Sequence, residues 1–241
     1  MVRDALRLER GVRMLVACSG GPDSIALASL IDRLARERDG CDVVLAHVNH
    51  GVRTSSDQDE CVVLSAGARL GRRVAIARPV LARDDEAALR EARYAALAEL
   101  ARREGASAVA TAHTAEDQTE TVLLALFRGT GLAGLAGMPV RRPLCDGVEL
   151  VRPVLRVTHA ELATELRRSG LPYALDPTNA ELRYRRNALR PPLDALRAEF
   201  PHLDRAVARC AGIVAQHLRP AERRDEIVRG ELEGRARGTE P

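Results

Sequence analysis

A short polar segment separates an apolar run at residues 14–17 from a helical pattern that begins near residue 24. It reads Ser19-Gly20-Gly21-Pro22-Asp23-Ser24. Glycines in a strand-to-helix turn leave backbone N–H groups accessible, and the N-terminus of the following helix attracts negative charge. A plain turn would need the glycines but neither the hydroxyls nor the carboxylate. The segment therefore predicts a phosphate-binding loop, although it lacks the spacing and the lysine of the G-x-x-x-x-G-K-[ST] loop.

Asp23 is the unexpected member of this segment, because a carboxylate repels phosphate. A divalent cation between the two groups would remove the repulsion. Mg²⁺ commonly binds one or two carboxylates together with phosphate oxygens. We therefore expect Asp23 to be a magnesium ligand.

Alternating apolar runs and helical patterns surround this segment and must position it. In the first helix, Leu27, Leu30, Ile31 and Leu34 fall on one face. Strand–helix alternation of this kind predicts an α/β fold, a mostly parallel, doubly wound sheet with helices on both faces. The expected strands cover residues 14–17, 43–48, 74–77, 108–112 and 149–154, and the expected helices cover residues 24–38, 57–70, 86–104 and 114–127.

The alternation stops after about residue 155. Residues 158–169 read as a helix, a loop follows at residues 171–179, and two further helical stretches are expected to be broken by prolines 191, 192 and 201. We expect a main domain of residues 1–195 and a helical C-terminal extension of residues 196–241. The charged, glycine-containing end of that extension is expected to fray.

Composition excludes several classes of protein. Hydrophobic residues make up 46% and charged residues 29% of the 241 residues, as in soluble globular proteins. No apolar run approaches 18 residues and the start is charged, so we expect neither a membrane span nor a signal peptide. The five cysteines are scattered, which predicts reduced thiols in the cytoplasm rather than disulfides or a zinc site.

Arginine supplies every basic side chain, 37 in all, and the net charge is +3. GC-rich codon usage is the simplest explanation. Any phosphate bound by a side-chain cation must nevertheless meet a planar guanidinium fork. Aromatic residues are scarce, at 2%, so stacking on nucleic-acid bases is restricted to positions such as Tyr94, Tyr173 and Tyr184.

Two further motifs need interpretation. Residues 129–134 spell G-x-G-x-x-G, but they follow a helix instead of a strand, so we interpret them as a mobile loop and not as a dinucleotide site. An arginine run follows later, with a tyrosine inside it. A solvated helix face is the usual explanation for such a run, and a nucleic-acid-binding surface is the alternative. The run comprises Arg183, Arg185, Arg186 and Arg190, with Tyr184.

The segment S-G-G-P-D-S resembles the pyrophosphate loop of the N-type ATP pyrophosphatases, whose fold is adenine nucleotide alpha-hydrolase-like. Five further segments resemble the tRNA(Ile)-lysidine synthetase family and occur in the same order. These segments lie at residues 47–53, 92–94, 111–121, 128–138 and 176–190. The resemblance covers about residues 12 to 195, and its segments together are far more specific than the loop alone.

The resemblance implies ATP and Mg²⁺ as cofactors, and free L-lysine and the CAU-anticodon tRNA(Ile) as substrates; it leaves a homodimer open. It implies that the six loop residues bind ATP. It also implies catalytic roles for Asp23, Arg93, His113 and Asp117, with Arg93 and His113 near the α-phosphate. It favours a tRNA-binding role for Arg185, Arg186 and Arg190.

His47 and His50 could suggest a metal cluster together with His113. No carboxylate or cysteine completes a ligand pattern at standard spacing, so we expect these histidines to shape the nucleotide pocket. Glu116 and Glu120 open a helix whose dipole favours acids in any case, and we take that as the explanation for Glu120 above all.

The sequence also departs from the family it resembles. The family usually has histidine where Thr114 stands and aspartate where Glu116 stands, and its members are usually longer. Two rival functions stay open. One is another enzyme of the same group, a tRNA thiolase or an amide-forming synthetase, although the paired cysteines common in thiolases are missing. The other is a nucleotide- or tRNA-binding module without catalysis.

Overall fold

Strands and helices alternate from residue 13 to residue 127. The computed structural model describes residues 2–6, 11–37, 41–51, 56–80, 85–175 and 185–218. The strands are β1 Arg13–Ala17, β2 Asp42–Val48, β3 Val74–Ala77, β4 Ala108–Ala110, β5 Arg141–Cys145 and β6 Val148–Val151. The helices are α1 Val2–Leu6, α2 Pro22–Arg36, α3 Ser56–Leu70, α4 Glu86–Glu104, α5 Ala115–Phe127, α6 Leu132–Leu135, α7 His159–Ser169 and α8 Arg185–Glu199, and residues 203–218 form a last helix, α9.

The strands form one sheet in the order β3-β2-β1-β4-β6-β5. All neighbours are parallel except β5 and β6, which are antiparallel. The predicted α/β fold with a mostly parallel sheet is therefore confirmed. The chain moves outward from β1 to β2 and β3, then returns to place β4 on the other side of β1. Crevices at such a reversal, outside the carboxyl ends of the strands, are where open α/β sheets bind ligands.

Each strand contributes to two separate cores, because successive side chains point to opposite faces. Met14 and Val16 of β1 lie in one core with residues of α2 and α7, whereas Leu15 lies in the other with Leu97 and Leu100 of α4. All five side chains are essentially buried. This packing fixes the register of β1 and therefore the position of the loop that follows it.

The edge strand β5 is absent from the sequence-based expectation. Its sequence, Arg-Arg-Pro-Leu-Cys, has no apolar alternation and contains Pro143. Proline cannot donate to a ladder, so within a sheet it is confined to edges and irregular positions. Pro143 lies in that setting, on the outermost strand and beside a register irregularity between residues 143 and 145.

The expectation that prolines 191 and 192 break the chain's last helices is wrong, because both lie inside α8. Tertiary contacts outweigh the two missing donors: Leu193 is buried, and Arg197 binds Asp204 of α9 through two hydrogen bonds. Pro201 does follow the end of α8. The expected boundary at residue 195 falls within this helix and stays a prediction.

The described helices are too short or too polar to span a bilayer.

Candidate active site

The segment at residues 19–24 joins β1 to α2 and is held by its own serines. The Ser24 hydroxyl donates to the Gly21 carbonyl at 2.9 Å and accepts the Ser19 N–H at 3.1 Å. The Ser19 and Ser24 hydroxyl oxygens lie 3.2 Å apart. The helix begins at Pro22, and no side chain caps its first turn. The N–H groups of Asp23 and Ser24 in the first turn of α2 are therefore available for an anion, and the binding of phosphate there stays a prediction.

Two features of the position of Gly20 favour glycine over other residues. Its φ of +91° lies in the left-handed region. A Cβ atom there would also lie 3.1 Å from the backbone carbonyl oxygen of Asp59. The loop thus packs closely against α3, and the Gly20 carbonyl accepts the Ala174 N–H at 2.9 Å. These contacts hold the loop in shape from both sides.

Asp23 forms an ion pair with His159, the first residue of α7. The Nδ1 and Oδ2 atoms are 2.9 Å apart, and the Asp23 side chain is 31% exposed. Burial opposes a charge on His159, but the hydrogen bond that it donates to Asp23, with the charges of Asp23, Glu116 and Asp117, raises its pKa to about 9. His159 is thus a cation at neutral pH. No motif in the sequence marks His159 as a site residue.

Glu116 does more than favour a helix N-terminus. Its Oε1 atom accepts the backbone N–H of His159 at 3.0 Å, and its Oε2 atom is buried without a partner among the described residues. A carboxylate oxygen in that situation beside Asp23 suits a divalent cation. Among the described residues no group of three ligands forms a metal cage by itself. Mg²⁺ fits such a site, because it commonly takes few carboxylates and completes its shell with phosphate and water.

The N-terminus of α5 is closed by a capping box. Thr114 is fully buried, and its hydroxyl accepts the Asp117 N–H at 3.4 Å, while Asp117 Oδ2 accepts the Thr114 N–H at 2.9 Å. The threonine therefore has a structural role at a position where the family usually has histidine. Asp117 also contributes to the electrostatic field around His159, which places it in the same acidic cluster as Asp23.

Glu120 lies one turn further along α5 and is buried, which the helix dipole alone does not explain. Its Oε1 atom accepts from Arg190 Nε at 3.2 Å, across the contact between α5 and α8. Arg190, expected to bind tRNA, thus holds α8 against α5, and its role in RNA binding stays a prediction. Arg185 and Arg186 lie in the first turn of α8. Residues 176–184, which include Arg183 and Tyr184, lie outside the described residues.

Histidines line the carboxyl end of β2 next to the loop. His47 is buried, and its Nδ1 lies 2.8 Å from the Cys18 carbonyl oxygen. Since a carbonyl can only accept, Nδ1 must donate, which leaves Nε2 as an acceptor. That atom is buried without a partner among the described residues. Burial, together with the charges of Arg93 and His47, lowers the pKa of His50, so Arg93 lies on this side of the site.

His113 follows β4 at the carboxyl edge, as expected, and its Nδ1 lies 2.9 Å from the Thr111 hydroxyl. Cys18, directly before the loop, is unsuited to thiolate chemistry, because burial raises its pKa to about 12. The structure thus places Asp23 and Asp117 around one histidine, and Arg93 beside His50.

The G-x-G-x-x-G segment is anchored in the structure. It contains the short helix α6, and Gln118 of α5 binds the backbone of Met138 through both amide atoms, at 3.2 Å and 2.9 Å. Gly137 has a φ of +63°, and a Cβ there would lie 2.6 Å from Gln118 Nε2. Gln118 thus ties the residues directly after this segment to α5, and the interpretation as a mobile loop stays a prediction.

Comparisons with known proteins agree with this geometry. Residues 2–195 match the family model of the PP-loop domain. The chain is 39% identical over 209 residues to a tRNA(Ile)-lysidine synthase of Ralstonia nicotianae, covering 83% of this chain and 44% of that protein. It is 41% identical over 229 residues to a tRNA(Ile)-lysidine synthase of Thermus thermophilus, covering 92% of this chain and 43% of that protein. The chain thus spans less than half the length of these two relatives.

A solved structure shares the fold. It is the U34-tRNA thiolase NcsA from Methanococcus maripaludis with its [4Fe-4S] cluster, with a TM-score of 0.75 and 17% identity, covering 90% of this chain and 76% of that one. The likeness concerns the fold alone. The phosphate loop after β1, the reversal of strand order beside it and the match over residues 2–195 together show that this chain belongs to the PP-loop domain family.

Proposed function

We propose that this protein is a cytoplasmic ATP-dependent ligase that joins free L-lysine to C2 of the wobble cytidine in the CAU-anticodon tRNA(Ile). The observation that supports this most directly is the acidic cluster around His159 beside an anion-binding loop. Such a site can hold phosphates and an ammonium group together. The printed name of relatives about 40% identical to the chain supports the choice of substrates.

The reaction needs two steps because the C2 oxygen of cytosine is a poor leaving group. In the first step this oxygen attacks the α-phosphorus of ATP, and pyrophosphate leaves. In the second, the side-chain nitrogen of lysine attacks C2, the C2–O bond breaks and AMP leaves with that oxygen. The nitrogen must lose a proton to act as a nucleophile.

The first step is assigned to the loop. The N–H groups at the start of α2 bind the phosphates that depart, and Asp23, with Glu116 near it, would hold Mg²⁺. Bound there, the metal would supply positive charge to the phosphate oxygens. Arg93 and His113 are proposed to stabilise the charge that develops on the α-phosphate.

The second step is assigned to the acids of α5. Lysine arrives as an ammonium ion, since its side-chain pKa is about 10.4 in water. Asp117 offers a fixed carboxylate to recognise that charge, to accept the proton that the nitrogen loses and to orient the nitrogen for attack. One oxygen of Asp117 accepts from the Thr114 N–H, which holds the carboxylate in place.

The test is direct. The purified chain is incubated with ATP, Mg²⁺, labelled lysine and a tRNA(Ile) transcript with the CAU anticodon, followed by nucleoside analysis and by measurement of AMP, ADP and pyrophosphate. Labelled lysidine with AMP and pyrophosphate is the expected result. ADP and phosphate as products would contradict the assignment to this chemistry.

The alternatives give other outcomes in the same experiment. AMP release that depends on ammonia or a sulfur donor instead of lysine would indicate an amide-forming synthetase or a thiolase. Binding of ATP and tRNA without turnover would indicate a non-catalytic module. Sedimentation of the same sample tests whether the chain forms the homodimer that the resemblance leaves open.

A further inference from the structure

Three arginines surround Tyr94 on the face of the sheet that α4 covers. The guanidinium carbon of Arg142 lies 4.8 Å from the centre of the Tyr94 ring, and that of Arg90 lies 5.1 Å from it. Arg152 and Arg142 both act on the Tyr94 hydroxyl and lower its pKa. Arg90 is exposed, Arg142 is partly exposed and Arg152 is buried. We call Arg90, Tyr94, Arg142 and Arg152 the arginine cluster.

The positive charge of the arginine cluster has no carboxylate partner among the described residues. Other arginines among the described residues do pair with acids. Examples are Arg72 with Asp32 and Arg197 with Asp204. Arg152 instead donates to the Pro139 carbonyl oxygen at 2.8 Å, and its buried Nε atom has no partner among the described residues. Concentrating like charges costs free energy unless an anion neutralises them.

The positive charges of the arginine cluster shift the pKa values of Arg152 and Tyr94. Burial lowers the pKa of Arg152, its contact with Tyr94 opposes that change, and the charges of Arg142 and Arg90 add to it. Burial alone would raise the pKa of the Tyr94 phenol, but the arginines around it lower that pKa overall. Both directions agree with a positive potential that the described residues do not compensate.

The position of the arginine cluster indicates which anion it meets. Arg152 directly follows β6, whose carboxyl end lies two strands from that of β1, so about 10 Å separates it laterally from the phosphate loop. Arg90 lies in the second turn of α4, whose N-terminus faces the same edge of the sheet. The cluster is therefore beside the candidate active site and outside the loop that binds the nucleotide phosphates.

A nucleic acid that presents one base at the loop must lay its flanking backbone along this edge. Guanidinium groups match phosphate oxygens in a planar, two-point geometry. Tyr94 is not available for base stacking as the sequence analysis considered, because guanidinium groups already lie over its ring. It serves instead to orient the cations.

We propose that the arginine cluster binds backbone phosphates of the RNA strand whose base enters the active site, with Arg90 and Arg142 as the contacting side chains and Arg152 and Tyr94 as their support. This inference rests on the proposed function for the identity of the RNA. Phosphate contacts carry no base information, so the cluster positions the strand and does not select its sequence.

The test compares Arg90→Gln and Arg142→Gln with Arg102→Gln. Arg102 lies on the same helix as Arg90, is exposed and pairs with Glu99, so its replacement removes the same charge away from the cluster. Binding of labelled tRNA(Ile) transcript and of an unrelated tRNA is measured by fluorescence anisotropy over a series of salt concentrations. ATP binding is measured in parallel, and thermal melts confirm folding.

We expect each cluster variant to bind both tRNAs about tenfold more weakly at low salt. The slope of log affinity against log salt should fall by about 0.7 to 0.9 for each lost phosphate contact. Arg102→Gln should change neither quantity, and ATP binding should stay unchanged in all three variants. Arg90→Lys keeps the charge and should recover part of the affinity.

Four results would overturn the inference: no tRNA binding by the parent chain at low salt, unchanged tRNA affinity in both cluster variants, an equal loss in Arg102→Gln, or a loss of ATP binding instead of tRNA binding. The last result would assign the cluster to the nucleotide. Lysine incorporation by the parent chain is assayed separately. A chain that binds RNA through the cluster but makes no lysidine would contradict the proposed function and leave this inference standing.

Discussion

The Asp23 carboxylate, in the loop after β1, is bound by the imidazole of His159 from the start of α7, at 2.9 Å. The two residues are far apart in the chain and meet because α7 packs against α2. His159 occupies the position next to Asp23 that a bound cation would take. The charges of Glu116 and Asp117 also act on His159. In the metal-free protein, His159 therefore offsets the negative charge of three acids.

This ion pair predicts a pH-dependent stability. The pKa of His159 is about 9 in the folded protein, against about 6.5 for an unperturbed histidine. The folded state binds the proton more tightly, so the stabilisation is fully present below about pH 6.5 and is lost as pH rises through about 9. His159→Gln should lower the melting temperature most near pH 6, and the difference from the parent should vanish above the folded pKa.

Thermal melts in the presence of a chelator, from pH 6 to pH 10, measure this difference. His202→Gln is the control, because His202 is exposed and lies in the turn between α8 and α9. A difference between His159→Gln and the parent that does not change with pH would contradict a charged His159 in the folded state.

Substitutions of Asp23 and Asp117 should affect the two half-reactions differently. Asp23→Ala should abolish pyrophosphate release because it removes the proposed metal ligand. Asp117→Asn keeps an oxygen for the capping bond to Thr114 but loses the charge that recognises lysine. It should therefore reduce labelled-lysine incorporation more than tRNA-dependent pyrophosphate release. Equal losses in the two assays would place Asp117 with the nucleotide.

Glu116→Gln refines this comparison. If Glu116 only stabilises the N-terminus of the helix, Glu116→Gln should leave both pyrophosphate release and lysine incorporation nearly unchanged. The structure predicts that Glu116→Gln does have an effect. Glu116 Oε2 is buried without a partner among the described residues, and the glutamate charge acts on His159. Glutamine should raise the Mg²⁺ concentration needed for half-maximal pyrophosphate release. An unchanged Mg²⁺ requirement would return Glu116 to the role of an ordinary helix-opening acid.

Part of this site could be predicted because its residues lie close together in the sequence. The loop at residues 19–24 needs its glycines, serines and aspartate within six positions, so their types and spacing are visible in the sequence. Asp117 is expected in the site only through the resemblance of residues 111–121 to the family. His159 gives no such signal. The Thr158–Glu161 capping box marks the start of α7, but only the packing of α7 on α2 brings that start to Asp23.

Tertiary context also decided the elements that sequence patterns missed. β5 gains its ladder from β6 despite Pro143, and α8 continues through two prolines because it packs on α5 and α9. Glu120 shows the same limit. An acid in the first turns of a helix is common, and only the contact with Arg190 distinguishes this one as a buried ion-pair partner.

The tie between Gln118 and residue 138 predicts a stability difference between two glycines. Gly137 and Gly129 both have positive φ, at +63° and +68°, but only at Gly137 would a Cβ collide with Gln118. Gly129→Ala should cost about 1 kcal/mol from backbone strain alone. Gly137→Ala should cost about 1 to 3 kcal/mol more, because Gln118 must give up its bonds to Met138. Urea unfolding of both variants measures this difference, and equal losses would mean that Gln118 moves aside freely.

Among the arginines of α8, Arg190 should matter for stability, whereas Arg185 and Arg186 should matter for tRNA binding. Arg190→Ala removes one partner of the buried Glu120 carboxylate, but Arg190 itself is 41% exposed, so it should destabilise the fold by about 1 to 2 kcal/mol. Arg185→Ala and Arg186→Ala should instead weaken tRNA binding and flatten its salt dependence. Melting temperatures and salt-dependent tRNA titrations on the three variants test this division. A flattened salt slope in Arg190→Ala with unchanged stability would assign Arg190 to the RNA.

Tyr94 gives the positive field of the arginine cluster a spectroscopic readout. The chain has three tyrosines and no tryptophan, so absorbance at the tyrosinate band reports few groups. The arginines lower the pKa of Tyr94 below its ordinary value of 10. A pH titration should therefore show one tyrosine that ionises before the others, and Tyr94→Phe should remove that step. Arg90→Gln should move the step to higher pH, because it removes a charge that stabilises the phenolate, whereas Arg102→Gln should not. An early step that survives in Tyr94→Phe would belong to another tyrosine and would contradict a lowered pKa for Tyr94.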